Sequence, residues 1–303
     1  MDKILFSGEY TLFLFLILII ALVLVARLIL NYIFKCDCKS GTKKEYKSNT
    51  ENIMYNAIQN REFEMYLQQK YDLQNECIVG AECLVRWNTK SNGTISPNNF
   101  IHIFEKNGFI VNLDIYMFEE VCKIINRWEN NNYKVIPLSV NISRFTLSQG
   151  DYFMERVKKL IEAYNINTNL IEIEITESAM LEDSNDIINV LNDIRNLGIK
   201  ISLDDFGAGY SSLNILKSLP LDAIKLDKLF LDKKTISSKG SVVLKNIIKL
   251  AKELNLGIIA EGVEFREQAM FLKSIGCTIV QGYLYGKPVK LSEFEKNQFI
   301  SNS

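Results

Sequence analysis

A chain of 303 residues, 48% hydrophobic and 23% charged, has globular composition and core enough for one large domain or two small ones. With 35 basic and 36 acidic residues its net charge is −1, and no basic excess points to nucleic acid as a partner. Its single histidine, His102, excludes a zinc site of several histidines, and a Ser-His-Asp triad would need His102, which has no serine motif near it. It reads as an ordinary helix residue within "FIHIFEKNG".

The first apolar run, residues 10–34, "YTLFLFLILIIALVLVARLILNYIF", carries one charge, Arg27. As a helix it spans roughly 37 Å, which predicts an N-terminal transmembrane anchor over 1–34, with Arg27 snorkelling to the nearer interface. Its length, and the lack of an A-x-A-like site after it, argue against a cleaved signal peptide. Lys35, Lys39, Lys43, Lys44 and Lys47 follow the run, while only Lys3 precedes it. That asymmetry predicts a single-pass protein of the inner (cytoplasmic) membrane, with the C-terminal part in the cytoplasm. Residues 35–48, "KCDCKSGTKKEYKS", read as a basic, solvated linker. None of the six cysteines (Cys36, Cys38, Cys77, Cys83, Cys122, Cys277) forms a C-x-x-C pair, so a reducing compartment is the default.

Residues 49–303 read as one domain. Strand signals recur at 63–69, 77–86, 134–142, 169–176, 199–204, 223–227, 257–261 and 278–281. Helix signals lie at 97–108, 113–130, 150–164, 184–197, 211–218, 238–254, 265–275 and 290–299. This alternation predicts an α/β fold with a mostly parallel sheet, and eight strands in about 255 residues fit a TIM-like (β/α)8 barrel. Only "KYDLQNE" separates the first two strands, too short for a parallel crossover, so the first strand is expected to run antiparallel to the second. A doubly wound open sheet is the alternative.

Polar residues gather at the strand ends: Glu82, Asn141, Glu174, Glu177, Asp204, Asp205, Lys225, Glu261 and Gln281. In a barrel, sites are built at that end. Period two puts Gly80, Glu82, Leu84 and Arg86 on one face of their strand, and Glu172, Glu174 and Thr176 on one face of theirs. A lone acid at such a position is usually solvated or caps a helix. Acids converging in such number on one mouth would repel and several would take up protons, unless divalent cations were bound. Carboxylates and one asparagine amide are hard oxygen donors, which favours Mg²⁺ or Mn²⁺. Asp204 and Asp205 suit a pair of ions, one of them bridging, and two ions about 3.5–4 Å apart are usual for phosphodiester hydrolysis. Lys225 would then hold or deprotonate the attacking water, or steady developing charge, and Arg86 suits a phosphate.

Taken together, "IVGAECLVRW", "SVNIS", "IEIEITES", "LDDFGAGYSSL", "AIKLDKLFL", "AEGVE" and "QGYLYGKP" resemble, in order, the blocks of the EAL family of cyclic di-GMP phosphodiesterases, over about residues 50–292. The resemblance implies a barrel with an antiparallel first strand. It implies two Mg²⁺ or Mn²⁺ ions on Glu82, Asn141, Glu174, Asp204, Asp205 and Glu261, with Glu82, Glu261 and Lys225 in catalysis. It implies substrate contacts from Gln68, Leu84, Arg86 and Gln281, and Glu177 as anchor of the loop 206–212, which takes part in dimerisation in the family. The implied reaction is water attack on one 3′–5′ bond of cyclic di-GMP to give linear pGpG. Cys83 stands where the family has alanine, and "YLQQK" keeps Gln68 but departs from the usual Y-Q-P through Leu67 and Gln69. A catalytically inactive cyclic di-GMP receptor and a membrane-tethered scaffold are the rival readings.

Overall fold

The computed structural model describes residues 54–89, 93–177, 185–208, 213–231 and 239–300. The chain divides into two compact units, Met1–Asn56 and Ala57–Ser303, and the architecture below is that of the second. Its strands are β1 (Phe63–Asp72), β2 (Cys77–Thr89), β3 (Gly93–Ile95), β4 (Leu138–Asn141), β5 (Ile171–Thr176), β6 (Lys200–Phe206), β7 (Ala223–Leu226), β8 (Gly257–Ala260), β9 (Ile279–Val280) and β10 (Val289–Lys290). Helices α1 (Ile101–Asn107), α2 (Ile110–Asn130), α3 (Arg144–Leu147), α4 (Asp151–Tyr164), α5 (Asn185–Asn196), α6 (Leu213–Ser218), α7 (Lys239–Glu253), α8 (Arg266–Ser274) and α9 (Leu291–Glu295) alternate with them.

Eight of the strands close a barrel in the order β1-β2-β4-β5-β6-β7-β8-β9, with β9 returning to β1. Every pairing from β2 round to β9 is parallel, whereas β1 is antiparallel to both neighbours. The closed barrel with a reversed first strand is the expected fold, and the open sheet is excluded. The reversal follows from the short β1–β2 connection. There Asp72 accepts from the Gln74 backbone N–H at 2.8 Å and from the Asn75 amide at 2.6 Å, and Glu76 takes a positive φ of 52°. The turn leaves Gln68 opposite Glu82 and Lys70 opposite Gly80.

The alternation of β5 shows how sequence sets the two layers. Ile171, Ile173 and Ile175 are wholly buried on the face away from the barrel axis, each worth about 1.5–3 kcal/mol, while Glu172 and Glu174 turn to the axis. The helices meet those apolar faces with their own stripes. On α5, Ile187, Val190, Leu191 and Ile194 are buried at the 3–4-residue spacing of one helix face.

The expected localisation is corrected here. Among the described residues no helix is long and apolar enough to cross a membrane. The longest, α2, is amphipathic: Leu113, Phe118, Val121, Ile125 and Trp128 are buried, while Lys123 pairs with Glu119 and Glu120 on its other side. The stretch 10–34, the linker 35–48 and the boundary proposed at residue 49 lie outside the described residues.

Candidate active site at the barrel mouth

Lys225 sits third in β7, wholly buried, and its ammonium is the hub of the site. It lies 2.6 Å from Glu174 Oε2, 2.8 Å from Glu261 Oε1, 3.0 Å from Asp204 Oδ1 and 3.3 Å from Glu82 Oε2. These carboxylates come from β5, the end of β8, β6 and β2, so four strands deliver one cluster. Around it, the Asn141 amide donates to Glu82 Oε1 at 2.9 Å and the Gln281 amide donates to Glu82 Oε2 at 2.6 Å. Gln281 also donates to Gln68 Oε1 at 3.1 Å, and Gln68 in turn donates to the Gly286 carbonyl at 3.0 Å.

Two overlapping groups have ligand atoms within 4.8 Å of one another: Glu82, Glu174 and Asp204, and then Asp204, Asp205 and Glu261. Asp204 belongs to both. Asp205 reaches its place through a strained backbone, with φ 55°, and its N–H donates to Asp204 Oδ1 at 2.9 Å. It is exposed where Asp204 is buried, so two adjacent acids of one strand face different surroundings.

The electrostatics follow from burial against charge. Burial would lower the Lys225 pKa, but Glu174, Glu82, Asp204 and Glu261 outweigh it and hold the ammonium well above its ordinary range. Burial would raise Glu174, but Lys225 and Lys70 outweigh it and hold that carboxyl down to about 2. Glu82 and Asp204 are raised, chiefly by burial and then by neighbouring carboxylates, with Lys225 opposing. Glu261 is pushed up by burial to about 8. Asp205 is raised by burial and then by Asp227. Burial and each other's charge disfavour ionisation of Glu82, Asp204, Asp205 and Glu261, a conflict that a divalent cation would relieve, and the all-oxygen donor set fits Mg²⁺ or Mn²⁺.

Of the residues expected from sequence, the structure brings Glu82, Asn141, Glu174, Asp204, Asp205, Lys225, Glu261, Gln68 and Gln281 together. Leu84 lines the same cleft, a space of about 520 Å³. Arg86 is placed apart, its guanidinium 5.7 Å from the Tyr66 ring centre and donating to the Val85 carbonyl at 3.0 Å. Glu177 accepts from the Gly207 N–H at 3.1 Å, at the base of the loop 206–212, whose residues 209–212 lie outside the described ones. His102 lies on α1, 3.2 Å from the Asn98 carbonyl, as an ordinary helix residue. Sequence reasoning missed Asp227, Lys228, Glu264 and Tyr283, which also line the cleft. Asp227 and Glu264 close the runs "AIKLD" and "AEGVE", so the strand-end signal that singled out Asp204 could have found both.

Beside the mouth lies a second cavity of about 430 Å³, lined by Leu84, Ile101, Ile110, Leu113, Met117 and Val140 among others. Leu84 borders both spaces.

Similarity to known proteins agrees with this geometry. The chain is 33% identical over 260 residues to the signaling protein YkoW of Bacillus subtilis, covering 86% of this chain and 32% of that protein. It is 32% identical over 246 residues to the cyclic di-GMP phosphodiesterase NbdA of Pseudomonas aeruginosa, covering 81% of this chain and 31% of that protein. The chain thus spans about a third of the length of the curated relatives it matches. Among solved structures, the PaMucR phosphodiesterase in complex with c-di-GMP superposes with a TM-score of 0.73 at 31% identity, covering 78% of this chain and 96% of that one. Residues 51–288 match the model of the EAL domain, and with that span and this site the chain belongs to the EAL domain family.

Proposed function

We propose that the chain hydrolyses one 3′–5′ phosphodiester bond of cyclic di-GMP to give linear pGpG, with two divalent cations. The observation that carries this reading is the pair of carboxylate groups that share Asp204 around one buried lysine. Glu82, Asn141, Glu174 and Asp204 would hold one ion, and Asp204, Asp205 and Glu261 the other. Bound there, the ions supply Lewis-acid activation of water and neutralise charge building on the phosphate. Lys225 holds the attacking water by hydrogen bond and steadies charge in the transition state. Gln68 and Gln281, tied to each other and to Glu82, orient the substrate at the mouth. The apolar cavity beyond Leu84 suits one guanine base, whose planar faces gain by leaving water. Relatives and neighbours named for cyclic di-GMP support this substrate.

The test is direct. The full chain incubated with cyclic di-GMP and Mg²⁺ or Mn²⁺ should release pGpG, and Glu82→Ala should abolish release. Binding without turnover would select a receptor instead, and Glu82→Ala turning over at the parental rate would sink the site assignment.

A further inference from the structure

Among the described residues, Glu174 is the one carboxylate that touches both buried lysines, Lys70 and Lys225. Its Oε2 lies 2.6 Å from Lys225, and its Oε1 lies 2.9 Å from Lys70. Lys70 is 4% exposed and Glu174 is fully buried. The remaining partner of the Lys70 ammonium is Glu172, at 3.2 Å. Lys70 arrives from below because β1 is reversed: Gln68 reaches the mouth cleft, while Lys70 lines a cavity of about 430 Å³ with Pro137, Asp222 and Gly257, residues that start or precede parallel strands. Its stem crosses Gly80, its register partner on β2, where a Cβ would stand 3.7 Å from the Lys70 Cδ and 3.1 Å from the Pro137 carbonyl oxygen. The hairpin therefore leaves a slot, and the lysine fills it.

We propose that Lys70 is a positioning residue that ties down Glu174 Oε1, so that Oε2 alone is presented to a cation and to Lys225. The proposal rests on the cation site read above. Lys70 touches no substrate and acts through Glu174. A carboxylate held on one oxygen by a fixed charged donor cannot swing to bind a cation through both oxygens, and its orientation is set before the ion arrives. Removing the ammonium takes the charged donor from a fully buried oxygen and leaves the carboxylate, apart from Lys225, the neutral Ser139 hydroxyl, so its hold on one orientation is loosened. Losing a nearby positive charge pulls the other way, towards tighter cation binding, so the sign of the change discriminates.

The experiment titrates Mn²⁺ into the substrate-free full chain by calorimetry, for the parent, Lys70→Met, Lys70→Arg, Lys70→Gln and Glu172→Gln, with melting temperatures alongside. Lys70→Met should weaken Mn²⁺ binding by about 10–100-fold, as loss of an outer partner of a metal ligand does. In turnover assays the Mn²⁺ concentration for half-maximal rate should rise by the same factor, with the KM for cyclic di-GMP unchanged. Lys70→Arg should restore most of the affinity, because the cavity below has room for a guanidinium. Glu172→Gln removes the lysine's other partner and should leave Mn²⁺ affinity parental, even if the melting temperature falls. Parental or tighter Mn²⁺ binding by Lys70→Met overturns the proposal, as does an equal loss in Glu172→Gln. If Lys70→Met does not fold, Lys70→Gln decides: it must bind more weakly than Lys70→Arg, and equal affinities overturn the proposal. A parent that binds no Mn²⁺ overturns the cation reading itself, which separates the two failures.

Discussion

The cleft at the barrel mouth and the cavity beside it share Leu84 and differ in most else. The mouth gathers Glu82, Asp205, Glu261 and Gln281 in about 520 Å³. The cavity presents Ile101, Ile110, Leu113 and Met117 in about 430 Å³. One concentrates carboxylates around a buried ammonium, a donor set that could hold a cation, and the other offers apolar surface that gains by excluding water. The division implies that changes in the mouth act on turnover and changes in the cavity act on affinity. Substitutions on either side of Leu84 can break that division.

The largest effect is expected from Lys225→Met. The ammonium contacts four carboxylates, and nothing else described brings a positive charge to all of them. Steady-state rates at saturating Mn²⁺ should fall by about 10²–10⁴-fold, the usual share of a group acting directly on the reacting water. The KM should change little. A rate within tenfold of the parent would take the chemistry away from this cluster.

Leu84→Ala comes next and should move the other parameter. A leucine side chain covered by a ligand is worth about 1.5–3 kcal/mol, most of which alanine loses, so the KM should rise roughly tenfold or more with kcat near parental. A loss in kcat alone would mean that the two spaces are not divided as proposed.

A smaller effect is expected from Gly207→Ala. Gly207 has φ 96°, and a Cβ there would overlap the Phe230 ring. The left-handed backbone alone costs an alanine about 1–2 kcal/mol. The shift would loosen the Gly207 N–H contact with Glu177 and, two residues upstream, Asp205. Turnover should drop a few-fold and the Mn²⁺ concentration for half-maximal rate should rise. Unchanged kinetics would show that the loop base does not set Asp205.

The contrast between mouth and cavity also marks what the sequence could and could not reveal. The eight barrel strands and the reversed β1 were legible, because alternation and a seven-residue connection are local signals. The mouth was legible for the same reason: acids that end apolar runs stand out. The three-residue β3, the two-residue β10 and the four-residue α3 were not expected, being too short to carry a period. The strand signal of β1 stopped at residue 69, so Lys70 went unnoticed although it is buried on two carboxylates. The apolar cavity left no signal, because its residues read as ordinary core facing of α1 and α2. Its existence depends on how those helices sit against β2 and β4, which is a tertiary fact.

Asp114 borders that cavity and gives the prediction with the least effect on turnover. It lies on α2, fully buried, and its Oδ2 accepts from the Ser143 N–H at 2.9 Å and the Thr146 hydroxyl at 2.6 Å. Burial pushes its carboxyl up from 3.8 to about 6, with the donors from Thr146 and Ser143 opposing. An acid with a raised folded-state pKa binds more protons folded than unfolded, so stability falls as pH rises from about 4 to about 6 and is level beyond. A shift of that size corresponds to about 3 kcal/mol at most. Asparagine keeps an oxygen for both donors and cannot ionise. Asp114→Asn should therefore match the parent below pH 4, gain on it between about pH 4 and 6, and hold that margin at pH 7. Urea denaturation at several pH values reads the margin directly, and parallel curves for the two proteins would remove the burial argument. Turnover should be unaffected, because both donors stay seated and the segment from Asn141 to Thr146 keeps its path.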